Sequence, residues 1–361
     1  MLAYLLRRLM LVIPTFFVII SINFFIIQVA PGGPVDQYIA QQQGIGDINL
    51  LKDRLSGENA DEVVSNTKTD GYQGAGGLTD EELLLIKQRF GFDEPLLVRY
   101  GIMLKDYMTF NFGDSLFRGS SVVELIVDRL PVSITLGLWS MLIVYLISIP
   151  LGIKKALTNQ TKFDYYSTLV LLVTSAIPSF ILAILLIVLF AGGSYWDWFP
   201  LRGLVSNNFD ELSTFAQIKD YFWHITLPVI AMVLTSFAGL TMLTKNLFLE
   251  EISRQYVLTA RAKGLTESAI LYKHIFRNAM LLITSGLPAA VVSIFFGSSL
   301  IIEIIFSLDG LGLLFYETTI QRDYPVIFST LFVFTLLGLI LGIISDFMYA
   351  VIDPRIDFEA K

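Results

Sequence analysis

The residue types that most often carry enzyme chemistry are scarce in this chain of 361 residues. There is no cysteine, which excludes thiol catalysis, disulfides and cysteine-ligated metals. There are two histidines, His224 and His274, and a histidine-based metal cluster usually needs more. Neither a Gly-x-Ser-x-Gly nucleophile motif nor a Gly-x-x-x-x-Gly-Lys-Ser/Thr phosphate loop occurs. We therefore expect no catalytic residue, no metal site and no ATP hydrolysis by this chain.

The stretch with the clearest functional pattern is residues 245–278, which read as helix, glycine turn, helix. Gly264 can adopt the positive φ that ends the first helix. Thr266 or Ser268 then lies near the cap of the second helix. Basic residues surround this amphipathic helix, so the segment suits docking into a groove of another protein. Four residues recur at helical spacing after the turn: Leu265, Ala269, Ile270 and Lys273.

The elements that position this segment are indicated by composition, which is that of a membrane protein. Hydrophobic residues make up 54% of the chain, charged residues 16%, and the mean hydropathy is +0.66. That bias excludes intrinsic disorder, and a net charge of −7 argues against nucleic-acid binding. Six runs lack Asp, Glu, Lys and Arg and reach the roughly 20 residues that a membrane helix needs. They are Leu9–Val35, Leu130–Ile153, Tyr165–Trp196, Tyr221–Thr244, Asn278–Ile302 and Tyr324–Ser345.

We therefore predict an all-α polytopic membrane protein with six transmembrane helices. Six such runs in succession argue against the alternative, which is a large soluble protein with buried helices. The predicted organisation has four parts: a first transmembrane helix in residues 1–35, an extramembrane domain in 36–129, the remaining five helices in 130–351 with the loop 245–278, and a tail in 352–361.

Lysine and arginine in the short loops set the expected orientation. They concentrate before the first span, between spans two and three, in residues 245–278 and after the last span. Both termini are therefore expected in the cytoplasm. The long segment 36–129 then lies in the periplasm.

The periplasmic segment is predicted to contain a small folded domain. A capping box at Thr79-Asp80-Glu81-Glu82 predicts one helix, which Gly91 ends, and a second helix is predicted over Leu96–Met108. This domain either shields the first helix pair or receives a partner.

The segment around Gly264 resembles a known family. Thr259-Ala260-Arg261-Ala262-Lys263-Gly264-Leu265, with His274 and Arg277-Asn278-Ala279 downstream, is similar to the EAA loop of ABC importer permeases, in the form found in dipeptide and oligopeptide permeases. The glutamate of the general pattern is absent, because its first three positions hold Leu258, Thr259 and Ala260. His274 also stands where the general pattern has isoleucine.

Other motifs extend this resemblance over nearly the whole chain, and it is greatest to Yej-type permease B subunits. The matching stretches are Arg7-Arg8-Leu9, Pro31-Gly32-Gly33-Pro34-Val35-Asp36-Gln37, Asn111-Phe112-Gly113-Asp114-Ser115, Asp309-Gly310-Leu311-Gly312, Asp323-Tyr324-Pro325-Val326 and Asp353-Pro354-Arg355.

The resemblance implies a type I ABC importer permease in the bacterial inner membrane. It implies a heterodimer with a second, related permease, ABC ATPase subunits or one fused ATPase that bind ATP and magnesium, and a periplasmic peptide-binding protein. The cargo would be oligopeptides, including peptide antibiotics such as microcin C. The implied ATPase-coupling residues are Thr259, Ala260, Arg261, Lys263, Gly264, Leu265, Ala269, Lys273 and Arg277.

The translocation pathway is the part of the protein about which the sequence indicates least. Hydroxyl-bearing residues within the spans are candidates for its lining, although each can equally join helices to one another. Asp346, the one acid in the apolar run of the last span, is either a proton relay or a structural residue. The hydroxyl candidates are Ser133, Thr135, Ser140, Thr174, Ser175, Thr235, Thr241 and Ser293.

Two other functions are alternatives to that of an ABC permease. A proton-driven secondary transporter should carry several membrane acids and internal repeats, whereas only Asp346 and no obvious repeat are present. A membrane-embedded hydrolase should carry a nucleophile with its base, or a metal site, and the sequence has neither pattern.

Overall fold

The computed structural model describes residues 2–29, 94–193, 195–296 and 300–352, and the regular elements of those residues are helices. The predicted all-α class is confirmed. The α-helices are α1 (Leu2–Val29), α2 (Leu96–Met108), α3 (Val122–Leu157), α4 (Lys162–Ala176), α5 (Ser179–Phe190), α6 (Thr214–Ile252), α7 (Gln255–Ala262), α8 (Glu267–Ile270), α9 (Phe276–Phe296), α10 (Leu300–Ile305), α11 (Leu311–Gln321) and α12 (Tyr324–Ile352).

Several of these helices are long and apolar enough to cross a membrane. Among the described residues, α3, α6 and α12 meet that requirement singly, and α4 with α5 meets it as a bent pair. The other two predicted spans correspond to α1 and α9. The number of six crossings itself stays a prediction.

The third predicted span is broken rather than straight. α4 and α5 meet at 91° where Ile177 and Pro178 separate them. The residue before a proline is excluded from the helical region, and Ile177 is extended at φ −84° and ψ 121°. Pro178 then precedes the first turn of α5, where the missing N–H costs nothing. A single helix over Tyr165–Trp196 is therefore wrong.

Helix ends differ from the hydropathy boundaries because a helix continues past the apolar run into polar residues. α6 extends eight residues beyond Thr244, and α3 begins at Val122, so the boundary predicted at 129/130 lies inside a helix. The predicted helix Leu96–Met108 is confirmed. The capping-box helix and the tail after Ile352 lie outside the described residues.

The described chain divides into two compact units. Unit one consists of residues 2–9, 127–314 and 334–352, and unit two of residues 10–29, 94–126 and 315–333.

Unit two is organised around Phe332, whose side chain is buried. Four rings surround it edge-on, with centroids 4.8 to 6.2 Å away: Phe16, Tyr107, Phe110 and Phe112. Edge-to-face pairs place the positive ring edge on the negative ring face, which stabilises each pair beyond its buried area. The aromatic cluster therefore joins α1, α2 and the turn that follows α2 to α12.

Unit one contains a close approach between α3 and α6. A Cβ on Gly152 would lie 2.6 Å from Cβ of Thr244 and 2.7 Å from the carbonyl oxygen of Thr241. Helices in a membrane gain little from the hydrophobic effect on pairing, so they rely on such small residues for van der Waals contact.

Gly152→Ala should therefore destabilise the permease. Its methyl group must displace the backbone of α6, and overpacking of this kind costs about 1–3 kcal/mol. Thermal unfolding in detergent measures the loss. Gly239→Ala on α6 is the matched control, because its Cβ would meet open space. Equal melting temperatures for the two variants would contradict the close contact.

Candidate functional site

The segment 245–278 folds around a glycine turn, as its sequence predicts. α7 ends at Ala262, and Gly264 adopts φ +80° with open space where a Cβ would stand. Thr266 is the N-cap of α8, and its hydroxyl oxygen accepts from the backbone N–H of Ala269 at 3.3 Å. The predicted helix stop and the Thr266 cap are both confirmed.

The two short helices share a buried apolar core with the ends of three longer helices. α3 and α9 each contribute an alanine to this core, and α6 contributes a phenylalanine. Helices of eight and four residues are too short to be stable alone, so this packing holds them. We call these residues the coupling core: Ala156, Phe248, Val257, Ala260, Ile270, Ile275 and Ala279.

The sequence-predicted coupling residues fall into two groups. Ala260 is buried in the coupling core and Ala269 is half-buried, so these two are the less exposed group. The exposed members are Thr259, Arg261, Lys263, Gly264, Leu265, Lys273 and Arg277.

Two apolar side chains on the same segment were not singled out from the sequence. Leu258 is 59% exposed and Tyr272 is 66% exposed, and Leu265 is exposed between them in the chain. Exposed apolar groups among cations are typical of a surface that a partner covers. In the sequence, the helical spacing of Leu258, Leu265 and Tyr272 from the apolar residues that are buried could have identified them as exposed.

Arg261 has a partner within the segment. Its guanidinium donates from Nε and Nη2 to the two carboxylate oxygens of Glu267, at 2.7 and 3.0 Å. This bidentate pair bridges α7 and α8 across the Gly264 turn. The bond to Arg261 lowers the pKa of Glu267, and the same bond raises the pKa of Arg261.

The second helix continues directly into α9. Leu271–Ile275 form a π-helical turn between α8 and α9, so the chain passes from the glycine turn into a long apolar helix without a loop. Single π turns add one residue to an α-helix, and they are found frequently at functional sites. His274 lies in this turn with its side chain exposed.

The hydroxyl candidates for the pathway are bonded in two different ways in the described residues. Thr174, Ser175, Thr235 and Thr241 donate to carbonyl oxygens of their own helices. Thr135, Ser140 and Ser133 contact other helices: the Thr135 hydroxyl accepts from Tyr221, Ser140 lies 3.6 Å from the Met232 sulfur, and Ser133 bonds Glu303. The side chains of Ser293 and Asp346 lie outside the described residues. Their pathway role stays a prediction.

Four buried acids were missed from the sequence because they lie just outside the charge-free runs. They are Asp164, Asp220, Glu303 and Asp323.

Glu303 explains the glycines of the Asp309-Gly310-Leu311-Gly312 stretch. Its carboxylate accepts from the backbone N–H of Leu313 at 2.7 Å, at the start of α11. A Cβ on Gly310 would lie 2.5 Å from that carboxylate. A glycine is therefore needed where the chain passes over the buried acid.

In the described residues, several apolar helices carry an exposed helix–turn–helix fastened to their ends, which is the architecture of a polytopic membrane protein. Comparison with known proteins gives the family. Residues 148–358 match the family described as binding-protein-dependent transport system inner membrane component.

Curated relatives cover the whole chain. The inner membrane ABC transporter permease protein YejB of Escherichia coli O157:H7 is 58% identical over 363 residues, which cover 99% of this chain and 100% of the relative. The peptidoglycan transport system permease protein YejB of Agrobacterium fabrum is 54% identical over 365 residues, 99% of each chain. The oligopeptide transport system permease protein AppB of Bacillus subtilis is 31% identical over 359 residues, 99% of this chain and 100% of the relative.

The chain belongs to the family of binding-protein-dependent transport system inner membrane components. It is a multi-pass permease subunit of an inner-membrane ABC importer, and a partner ATPase hydrolyses the ATP. The family also implies a binding-protein partner. A secondary transporter and a membrane hydrolase are thereby excluded.

The buried acid Asp323 should make stability depend on pH. It lies just before α12 and accepts from the Ser115 hydroxyl and the Leu116 N–H. Burial raises the pKa of Asp323 above its ordinary value. The folded chain then holds this proton more tightly than the unfolded chain, so the contribution of Asp323 to stability is greatest at low pH. That contribution is lost as pH rises through the raised pKa.

Asp323→Asn should remove this dependence while retaining an acceptor for Leu116. The melting temperature of the unmodified permease, relative to the variant, is expected to fall as the pH rises above the ordinary pKa of an aspartate, about 4. Asp197→Asn, at an exposed position, is the control. A relative melting temperature that rises over this range would contradict the direction of the pKa shift.

Proposed function

We propose that this permease imports oligopeptides from the periplasm to the cytoplasm. Relatives are named for oligopeptide and dipeptide transport, among them AppB of Bacillus subtilis and DppB of Lactococcus lactis. Peptide antibiotics such as microcin C belong to the same chemical class and stay part of this proposal. The Agrobacterium fabrum relative, named for peptidoglycan transport, favours peptides released from the cell wall as a second cargo.

The observation that carries the coupling mechanism is the exposed surface of residues 258–277. It presents apolar side chains and cations on α7, the glycine turn, the π-helical turn and the start of α9, which are held on a buried core. An ATPase groove would cover Leu258, Leu265 and Tyr272, and Lys263, Lys273 and Arg277 would meet acidic groups at its rim. ATP and magnesium would bind to that ATPase, since this chain has no phosphate loop.

The remaining partners are those that the family resemblance implies. A second, related permease would complete the pathway as a heterodimer, and the ATPase would be two subunits or one fused chain. A periplasmic peptide-binding protein would deliver the cargo, and lipid would surround the apolar helices. The basic side that carries the coupling surface, with both termini, would face the cytoplasm, and residues 36–129 would face the periplasm.

Substitution of Gly264 tests the coupling surface. Leucine at φ +80° is strained by about 1–2 kcal/mol, and its side chain would project from the turn that the ATPase covers. Peptide uptake by Gly264→Leu should fall at least about tenfold, since about 1.4 kcal/mol is a factor of ten. Gly264→Asn should retain most uptake, because asparagine tolerates positive φ.

The measurements are uptake by cells and recovery of the ATPase with tagged permease. Both variants should insert at the level of the unmodified chain, and the ATPase should be lost only with Gly264→Leu. Full uptake by Gly264→Leu would overturn the coupling role. Failure of any ATPase to co-purify with the unmodified chain in mild detergent would overturn the proposed assembly.

A further inference from the structure

Three helix ends meet at a buried cluster of charges beside the coupling core. Lys155 lies near the end of α3, Asp164 in the first turn of α4, and Lys245 near the end of α6. Their side chains are 0%, 10% and 11% exposed. From the sequence, both lysines served only as markers of orientation, yet here two cations share one buried carboxylate.

The two lysines are held differently. Lys155 Nζ lies within hydrogen-bonding distance of four oxygens: the Asp164 carbonyl at 2.9 Å, the Ser167 hydroxyl at 2.8 Å, the Thr168 hydroxyl at 2.7 Å and the Asp164 carboxylate at 3.0 Å. Three of these oxygens do not belong to the carboxylate. By contrast, the recorded hydrogen bonds of Lys245 Nζ in the described chain both go to the Asp164 carboxylate, at 2.8 and 2.7 Å.

The cluster adjoins the coupling core through the chain itself. Lys155 immediately precedes the core residue Ala156 on α3, and Lys245 lies three residues before the core residue Phe248 on the same side of α6. Gly152, about one helical turn before Lys155 on α3, packs against Thr244, which directly precedes Lys245 on α6. α3 and α6 are therefore joined by direct packing, and α4 both packs against α6 and is bonded to it through Asp164.

We propose that Asp164 is a positioning residue that makes α4 move with α6, so that displacement of the coupling segment reaches the broken third span. This inference rests on the proposed coupling role of residues 258–277. α4 is the half of that span that leads to the 91° bend at Ile177 and Pro178. A movement of α6 imposed by the ATPase is thus carried to the bend along α4, which packs against α6 and is held to it by this carboxylate.

The physical basis is the cost of separating buried opposite charges. Withdrawing Lys245 from Asp164 would leave a buried cation without its anion, which is far more costly than breaking an exposed pair. The exposed pair Arg254 and Glu250 at the end of α6 has no such constraint. The buried cluster therefore behaves as a rigid connection between α4 and α6.

Asp164→Asn tests the connection without removing volume. Lys155 keeps the carbonyl of residue 164, Ser167 and Thr168, whereas Lys245 loses its anion. In the importer reconstituted with its partner permease, ATPase and binding protein, radiolabelled hexa-alanine uptake per ATP hydrolysed should fall about fivefold or more. Recovery of the assembled complex should be unchanged.

Three variants separate positioning from general stability. Lys162→Gln removes an exposed charge in the same turn of α4 and should leave the ratio unchanged. Asp164→Glu keeps the charge and should restore at least half of the ratio. Lys245→Gln should lower the ratio as Asp164→Asn does, and the double variant should be no worse than either single one, because both remove the same contact.

A distance measurement reports the movement without any cargo. Since the chain has no cysteine, spin labels can be attached at Val173→Cys on α4 and Ser253→Cys after α6, both at exposed positions. Val173 lies nine residues after Asp164, and Ser253 lies eight residues after Lys245. At the rise of an α-helix, these two stretches together span about 25 Å. The distance should be the same before and after trapping with ATP and vanadate in the otherwise unmodified chain, and should change upon trapping with Asp164→Asn.

The results distinguish this inference from the coupling role on which it rests. An unchanged uptake ratio in Asp164→Asn, or an α4–α6 distance that changes equally with and without the carboxylate, would overturn the inference. The coupling role would still stand if Gly264→Leu loses the ATPase. Loss of the ratio by Lys162→Gln to the same degree would also overturn the inference, since charge in this turn and not the buried contact would then be responsible.

Discussion

The cost of burying charge in a medium of low polarity is the constraint on which the rest of this structure depends. Because an unpaired ion in such a medium is unfavourable by many kcal/mol, the apolar runs are free of charge and the ionisable groups gather at helix ends. Where they are buried, they are bonded: Asp164 to two lysines, Glu303 to a helix N-terminus and Asp220 to the hydroxyl and N–H of Ser206. The helix ends are thereby fastened to one another at defined points.

The segment 245–278 follows the same logic on a smaller scale. α7 and α8 are too short to persist alone, so they depend on the buried side chains that they share with α3, α6 and α9. Gly264 allows the turn between them, and the exposed pair of Arg261 with Glu267 bridges that turn. What remains exposed is a small apolar and basic surface whose position is set by the longer helices.

Much of this arrangement is predictable from the sequence, because it depends on local preferences and on hydropathy. The helical class, the helix Leu96–Met108, the glycine stop at Gly264 and the cap at Thr266 all follow from residues within a few positions of one another. Because the sequence has no phosphate loop, it also predicts that a partner ATPase hydrolyses the ATP. The division of the third span into two helices does not follow from hydropathy, which registers apolar composition, whereas Pro178 sets the backbone direction.

The sequence by itself determined the class of the protein, the location of its apolar helices and the helix–turn–helix pattern of residues 245–278. Each of these depends on composition or on short-range pattern. Only the tertiary structure decided that Arg261 pairs with Glu267, that Ala260 is buried, and that Lys155, Asp164 and Lys245 form one cluster. Residues 164 and 245 are 81 positions apart in the chain. Pairing over such a separation is set by helix packing, which no local preference encodes.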